Sequence, residues 1–354
     1  MALWLYATLD GVGSARALAR LSQQHTSYQW ICGGVPVNYH TLSDFRVGHP
    51  ELMDRLLTTS VASLMSAGLV EMNRVAQDGM RVRASAGAAS FRRRKTLEEC
   101  LAEAEAQVEQ LRKELADDPA ATSRRQKAAR TRAAEERARR VAEALAQMPE
   151  AEAKKKAKEK DKARVSTTDP DARVMKMGDG GFRPAFNAQF ATDTETQVIV
   201  GVDVSNAGSD AGKMPEMVEQ IEQRYGTVPE EYLVDGGFAA HDDIEKTTKL
   251  GTTVYAPVMQ PKNETRDPHV PLEDDSEVIG QWRIRMGTDE AKGTYKDRAA
   301  TAECVNALAR NRGLRQFPIR GRPKVLAVLL WYAVAHNLMR AHALRLAQTG
   351  DSSR

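Results

Sequence analysis

Three acidic residues occupy positions in the sequence where their carboxylates could act together in catalysis. Asp235 follows the apolar run 231–234 and precedes a Gly-Gly pair, Asp78 ends a second strand-like stretch before a glycine, and Glu303 lies in a late amphipathic segment. An Asp-Gly pair taken alone is more often a turn than a ligand. Two aspartates on neighbouring strand ends with one helical glutamate, however, supply the hard oxygen ligands that Mg²⁺ prefers.

Such a set suits phosphoryl transfer. Two ions about 3.5–4 Å apart stabilise the attacking and leaving oxygens of an in-line displacement. At roughly 100° per residue, a helix over 295–312 places its polar side chains within an arc of about 140°. These side chains are Tyr295, Arg298, Glu303, Asn306 and Arg310. The predicted inward side consists of Ala300, Cys304, Val305 and Leu308. The arginines could hold a DNA phosphate or neutralise its charge.

The elements that must position these residues follow a strand-and-helix pattern. Residues 69–84 predict a strand that carries Asp78 in its middle or toward its end, and 186–204 predict a hairpin. The strand before Asp235 and a strand at 252–258 alternate with predicted helices. Open α/β sheets place their ligands at such strand ends. The remaining predicted elements are helices over 214–225, 242–250 and 325–346, and a loop over the site at 259–290.

Residues 1–68 predict a helical domain for DNA binding or dimerisation, in which plain helical packing is an equally good interpretation. A capped helix is predicted over 41–68, and 30–34 predict a turn. The first six residues have the character of a helix interior, which suggests that an upstream part is missing.

Residues 92–165 predict a basic coiled-coil hairpin followed by a linker. Residues 92–164 hold 21 Lys+Arg against 15 Asp+Glu, whereas the rest of the chain is net negative. Apolar residues recur in steps of four and three, a coiled-coil seam interrupted at 117–119. The seam comprises Leu97, Leu101, Ala104, Val108, Leu111 and Leu115, and then Ala134, Ala138, Val141, Leu145 and Met148. Candidate DNA contacts are Arg92, Arg93, Arg94, Arg124 and Arg125, and a merely solvated charged face is equally open.

Composition excludes several classes of protein. The 354 residues suit one elaborated domain or two, and no apolar run reaches membrane-spanning length. Three cysteines are widely spaced without zinc-site spacing, which suits a reducing cytoplasm. A hydrolase using histidine is disfavoured because His241 alone follows a motif closely, and a helix start explains it better.

The ordered motifs resemble those of DDE transposases of bacterial insertion sequences. The resemblance rests on 75–79, 233–238, 295–298 and 302–306. It points to the branch with a Tyr-Arg-Glu-Lys signature, the insertion sequence 1182 group. Residues 6–46 are also similar to the helical N-terminal domain of that group, so the resemblance covers nearly the whole chain.

The resemblance implies roles for particular residues. Asp78, Asp235 and Glu303 become the catalytic ligands of two Mg²⁺ ions, for which Mn²⁺ can substitute. Tyr295, Arg298, Asn306 and Arg310 become the signature residues that contact DNA phosphate. Two positions depart from the signature: four residues instead of three separate Arg298 from Glu303, and Arg310 stands in place of lysine. Arginine keeps the charge and changes the geometry.

The implied fold is α/β, a ribonuclease H-like mixed sheet flanked by helices. Its core comprises 69–91 and 166–346, the hairpin at 92–165 is inserted after the first strand, and 347–354 form a flexible tail. The implied activity is Mg²⁺-dependent cleavage at terminal inverted repeats and joining of 3′ ends to target DNA. A homodimer would act on double-stranded DNA in the bacterial cytoplasm, at the nucleoid.

Two alternatives stay open at this point. A truncated remnant could bind DNA or dimerise without catalysis, and it would be unable to recognise transposon ends. A metal-dependent nuclease with the same core could cut DNA without joining it.

Overall fold

The computed structural model describes residues 1–117, 124–260 and 266–350. The chain divides into two compact units. The first comprises Met1–Val82, Asn187–Arg315 and Pro323–Arg354, and the second comprises Arg83–Phe186 and Gln316–Arg322.

Strands and helices alternate through the middle of the chain, whereas both ends are helical. The strands are β1 (Arg74–Arg83), β2 (Phe91–Arg92), β3 (Val165–Ser166), β4 (Arg173–Lys176), β5 (Phe182–Asp193), β6 (Ile199–Ser205), β7 (Glu231–Leu233) and β8 (Thr253–Tyr255). The helices before β3 are α1 (Ala2–Leu9), α2 (Ala15–Gln24), α3 (Thr26–Ile31), α4 (Tyr39–Gly48), α5 (Pro50–Ser66), α6 (Arg94–Asp117), α7 (Arg124–Ala146) and α8 (Met148–Ala153). The later helices are α9 (Lys213–Tyr225), α10 (His241–Lys249), α11 (Glu277–Gly287), α12 (Asp289–Arg298), α13 (Cys304–Asn311) and α14 (Arg322–Gln348).

A mixed sheet forms the centre of the first unit. Its order runs β5-β1-β7-β8, and β6 pairs with β5. β5 and β6 are antiparallel, whereas β1 and β8 each run parallel to β7. The predicted α/β class with a mixed sheet flanked by helices is therefore confirmed. β1 continues through Asp78 to Arg83, so the Asp-Gly pair at 78–79 lies within a strand and is not a turn.

Helices α9 and α14 pack on the hairpin β5–β6. Gly201 leaves room for α9, because a Cβ there would lie only 2.5 Å from Met217 Sδ. Asn337 of α14 forms two hydrogen bonds with the backbone of β6. Its Oδ1 accepts from Ile199 N (2.8 Å) and its Nδ2 donates to Ile199 O (2.7 Å). A buried amide that satisfies both backbone groups of one residue fixes the helix against the strand.

The N-terminal helices belong to this same unit and are tied by buried indoles. Trp4 Nε1 donates to Leu42 O, and Trp331 Nε1 donates to Arg46 O, both at 2.9 Å.

The turn predicted at 30–34 is wrong in its first part, since α3 runs to Ile31 and the positive-φ glycines follow at 33 and 34.

The second unit is built on the long helices α6 and α7. They pack with β3 around one apolar core, which comprises Leu97, Val141, Ala144, Met148, Ala163 and Val165. Arg112 of α6 donates to Glu135 of α7 (2.7 Å), and β2 pairs antiparallel with β3. Residues 118–119 of the predicted break, the side chain of Leu115 and residues 351–354 of the predicted tail lie outside the described part.

The loop predicted at 259–290 is partly wrong, because α11 occupies 277–287. Ser276 Oγ accepts from Ile279 N at the start of this helix (3.4 Å), which satisfies one of its free backbone N–H groups. Ile279, Trp282 and Met286 are buried. The proline- and charge-rich composition concealed this apolar spacing of three and four residues.

Candidate active site

Asp78 lies on β1 and Asp235 lies just beyond the end of the neighbouring parallel strand β7. These two residues are hereafter the aspartate pair. The register of β1 and β7 pairs Val75 with Tyr232 and Ala76 with Leu233, and each aspartate is two residues beyond the last of these pairs. The two carboxylates are close enough that the charge of Asp235 affects the pKa of Asp78.

Asp78 is half-buried and held by two hydrogen bonds. Its Oδ1 accepts from Gly79 N and its Oδ2 accepts from Asn306 Nδ2, both at 2.9 Å. Burial and then the charge of Asp235 raise the pKa of Asp78, against the opposing effects of Arg298 and these hydrogen bonds. The raised pKa of Asp78 thus arises from partial removal from water beside a second carboxylate, an arrangement common at functional sites.

Asp235 stands two residues beyond the end of β7. Its Oδ1 accepts from Gly237 N (2.8 Å), which makes the turn that the Asp-Gly-Gly sequence alone suggests. Val234 and Phe238 are buried on either side of this turn. The turn and the ligand interpretations are thus compatible, because the turn orients the carboxylate.

Arg298 lies among the acidic groups of the site. Its Nη2 donates to Glu303 Oε1 (2.9 Å), and its guanidinium carbon is 5.7 Å from the ring centroid of Tyr295. Burial lowers the pKa of Arg298, but Tyr295, Asp78, Glu303 and Asp235 together outweigh it and raise that pKa. Arg298 is therefore the counter-charge of the aspartate pair as well as the partner of Glu303.

Glu303 does not join the aspartate pair in a cluster. Its side chain is 58% exposed and bonds Arg298. Within the described ranges, no group of three His, Cys, Asp or Glu side chains is arranged to hold a metal ion. Arg310 lies exposed near the end of α13. The structure thus brings together Asp78, Asp235, Arg298 and Asn306, with Tyr295 beside Arg298.

A π-helical turn over Ala299–Glu303 joins α12 to α13. It absorbs the additional residue between Arg298 and Glu303, because a π turn repeats at i+5 and an α-helix at i+4. The two side chains remain hydrogen-bonded. The prediction of one continuous polar arc is wrong for the same reason: Asn306 is only 2% exposed, whereas Ala300, predicted inward, is exposed.

We expect deletion of Ala300 to convert the π turn into regular α-helix and leave the fold intact. The free energy of unfolding of the protein should change by about 0.5 kcal/mol or less on this deletion, as it does for changes at exposed sites. The matched control is deletion of Ala307, an exposed residue of regular helix α13, which would rotate buried Ala309 out of register. That deletion should cost at least about 2 kcal/mol. Denaturant unfolding of both variants measures the difference, and equal losses would contradict the role of the π turn.

The sequence interpretation missed Asp210, a buried carboxylate beside the aspartate pair. It lies in a polar loop without a motif. One signal was present, since an isolated glycine in a strand indicates close approach of another group. Gly79 is such a glycine, and Asp210 approaches it.

The residues present fit a divalent metal ion. The aspartate pair supplies hard carboxylate oxygens of the kind that Mg²⁺ prefers. Asn306 Oδ1 is buried and, in the described residues, has no hydrogen-bond partner. Because Asn306 Nδ2 donates to Asp78, this free amide oxygen lies beside the carboxylate.

The predicted DNA-contact arginines in the second unit have different surroundings. Arg92 and Arg93 are exposed, whereas Arg94 forms two hydrogen bonds with Glu152 (2.8 and 2.9 Å). The side chains of Arg124 and Arg125 lie outside the described residues. Charge is also unequal between the two helices: α6 holds four basic and seven acidic residues, and α7 holds eight basic and three acidic.

A membrane-spanning helix is not found in the described parts of the chain. A mixed sheet with one aspartate on a strand, a second just beyond the neighbouring parallel strand, and a late polar helix is consistent with the ribonuclease H-like class of folds. Residues 161–338 match the family described as Transposase DDE domain. The chain belongs to this family and is a transposase, an enzyme that acts on DNA and whose family normally uses divalent metal ions.

The matched range contains Asp235, Arg298 and Glu303, and Asp78 lies before it. Comparisons with curated proteins and with solved structures gave no match.

Proposed function

We propose that this transposase uses Asp78, Asp235 and Glu303 to bind two Mg²⁺ ions, with Mn²⁺ able to replace them. It cleaves DNA at the terminal inverted repeats of its element and joins the 3′ ends to target DNA. The observation that supports this function best is the position of the aspartate pair, on β1 and just beyond the neighbouring parallel strand β7. Arg298 and Asn306 adjoin the pair from a single helical segment.

Bound metal ions would supply the activation of the attacking oxygen and the stabilisation of the leaving oxygen. In cleavage, water attacks the phosphorus, the bond to the 3′-oxygen breaks, and that oxygen takes a proton. In joining, the 3′-hydroxyl loses its proton and attacks a target phosphodiester, which releases a target 3′-hydroxyl. Asp78 and Asp235 would provide the metal-binding oxygens, and Asn306 Nδ2 would hold Asp78 in orientation.

Arg298 and Tyr295 would contact the DNA phosphate. The guanidinium of Arg298 can donate to non-bridging oxygens, where negative charge increases in the transition state. An Arg298 engaged with phosphate would leave Glu303 free to complete the set of three carboxylates. Glu303 is exposed and bonded to Arg298 through one oxygen, so its side chain is free to turn once Arg298 engages phosphate.

DNA contacts outside the site are proposed for the basic residues of α7 and for Arg92 and Arg93. Affinity for DNA should then fall steeply with salt, since each neutralised phosphate releases counterions. We also propose that the protein acts as a homodimer on double-stranded DNA in the bacterial cytoplasm.

Strand transfer from pre-cut ends tests this function. The full chain is incubated with Mg²⁺, a target plasmid and duplexes that carry the repeats flanking its gene and a free 3′-hydroxyl. We expect joined products from these duplexes, and none from matched duplexes ending in a 2′,3′-dideoxynucleotide. Cleavage of uncut repeats without joining would instead identify a nuclease, and DNA binding without either reaction would identify a non-catalytic protein.

A further inference from the structure

A buried polar network lies behind the aspartate pair and centres on Asp210, which is 6% exposed. Asp210 Oδ1 accepts from Asn187 Nδ2 (2.6 Å) and from Gln189 Nε2 (2.7 Å). Asp210 Oδ2 accepts from Arg81 Nη2 (2.8 Å). All of these residues belong to the first unit, on β1, β5 and the loop after β6.

The network extends to β7 through a series of hydrogen bonds in which each side chain donates to the next. Tyr232 Oη donates to Gln77 Oε1 (2.9 Å), and Gln77 Nε2 donates to Gln189 Oε1 (2.9 Å). Gln189 in turn donates to Asp210, which ends the series as a group that only accepts. The strands β7 and β1 are thus joined by the Tyr232–Gln77 hydrogen bond, and the series that starts there ends on Asp210.

Asp210 also approaches the backbone that follows each member of the pair. A Cβ at Gly79 would overlap Asp210 Oδ1 and would lie 2.6 Å from Gln189 Nε2. A Cβ at Gly237 would lie 2.9 Å from Asp235 Oδ1 and 3.5 Å from Asp210 Oδ2. One buried carboxylate thus packs against both glycines next to the aspartate pair.

The loop that carries Asp210 is itself anchored. Lys213 N donates to Asp210 O (3.1 Å), and Gly212 N donates to Asp243 Oδ2 (2.6 Å). Asp243 is buried in the first turn of α10, the helix that follows Asp235. The position of Asp210 is therefore determined by the elements on both sides of the site.

Asp210 is suited to positioning and not to binding metal. Its two oxygens already accept three hydrogen bonds, and the guanidinium of Arg81 neutralises its charge. A carboxylate saturated in this way has little affinity left for a cation. Its effect on a metal ion would act through the aspartate pair, as the partners of metal ligands act in other proteins.

We propose that Asp210 is a positioning residue that sets the distance between Asp78 and Asp235 by fixing the backbone at Gly79 and Gly237. This inference rests on the proposed metal-binding function of the aspartate pair. Replacing Asp210 by asparagine would place an N–H group against a hydrogen-bond donor and disturb the packing of this side chain against Gly79 and Gly237. Mn²⁺ should then bind about 10- to 100-fold more weakly, the range found when a partner of a metal ligand is lost.

The test is calorimetric titration of the full chain with Mn²⁺, without DNA, together with thermal unfolding. Asp210→Asn and Arg81→Gln are compared with the control Asp193→Asn. Asp193 is a buried aspartate of the same unit that accepts from Thr196 N (2.8 Å). We expect weaker Mn²⁺ binding in the first two variants, and a lower Tm without weaker binding in the control.

The outcomes distinguish this inference from the function on which it rests. Binding by wild-type protein that is lost in Asp78→Ala, but unchanged in folded Asp210→Asn and Arg81→Gln, would overturn the role of Asp210 alone. Absence of any Asp78-dependent binding in wild-type protein would overturn the metal function and this role with it. Should Asp210→Asn fail to fold, Arg81→Gln decides, because Arg81 is partly exposed and its loss removes only one partner of Asp210.

Discussion

Replacing Asp235 by alanine is expected to lower the rate of DNA strand cleavage by about 10²–10⁴-fold. A metal ion that stabilises developing charge contributes several kcal/mol, and each 1.36 kcal/mol is about a tenfold change in rate. The side chain is half-buried beyond the end of β7, and within the described residues it accepts one hydrogen bond, from Gly237 in its own turn. The fold should therefore survive its removal, so that the loss reports on chemistry.

Asp242→Ala is the matched control for Asp235→Ala. Asp242 is an exposed carboxylate seven residues further on, at the start of α10. Its replacement should change the cleavage rate by less than about threefold, since an exposed carboxylate at a helix start contributes only a few tenths of a kcal/mol. Rates are measured on a labelled repeat duplex in Mg²⁺ at equal protein concentration. Comparable cleavage by Asp235→Ala and wild type would remove Asp235 from the reaction.

Replacing Gly79 by alanine is expected to destabilise the protein by about 3 kcal/mol or more. The added methyl group would meet Asp210 Oδ1, Gln189 Nε2 (2.6 Å) and Asn187 Oδ1 (2.7 Å) inside the sheet. Overpacking a core costs about 1–3 kcal/mol. Separating a buried donor from its acceptor adds about 1–3 kcal/mol. The displaced strand would also move Asp78, so that cleavage falls together with stability.

Gly87→Ala provides the comparison for Gly79→Ala in the same denaturant-unfolding measurement. Gly87 is exposed, has φ −86°, and a Cβ there would meet no atom within 4 Å. Its replacement should change the free energy of unfolding by no more than about 0.5 kcal/mol, or increase it slightly through the unfolded state. Equal stability of Gly79→Ala and wild type would show that the hydrogen-bond network around Asp210 accommodates the added methyl group.

Local sequence signals were sufficient to predict that Asp78 and Asp235 lie near each other. Apolar runs before Asp-Gly predict two strands that lead to aspartates, and parallel pairing of β1 with β7 brings those aspartates near each other. These features depend on short-range chemistry, which a single sequence records.

Other features depend on tertiary contacts that composition does not record. The π turn at 299–303 alters helical phase, so a constant 100° per residue misplaced Ala300 and Asn306. Asp210 occupies an ordinary polar loop, and only folding brings it against Gly79 and Gly237. The charge of the predicted basic hairpin is also unevenly distributed, because the positive charge is concentrated in α7 whereas α6 is acidic.

The most direct measurement of the central claim is a crystal structure of the protein soaked in Mn²⁺, with the ions located by their anomalous scattering. The proposed function predicts an anomalous peak bound by Asp78 and Asp235 at about 2.0–2.2 Å, with Glu303 released from Arg298 and turned toward the metal. Mn²⁺ bound elsewhere, with the aspartate pair still compensated by Arg298 alone, would contradict the claim that these carboxylates are the catalytic metal ligands.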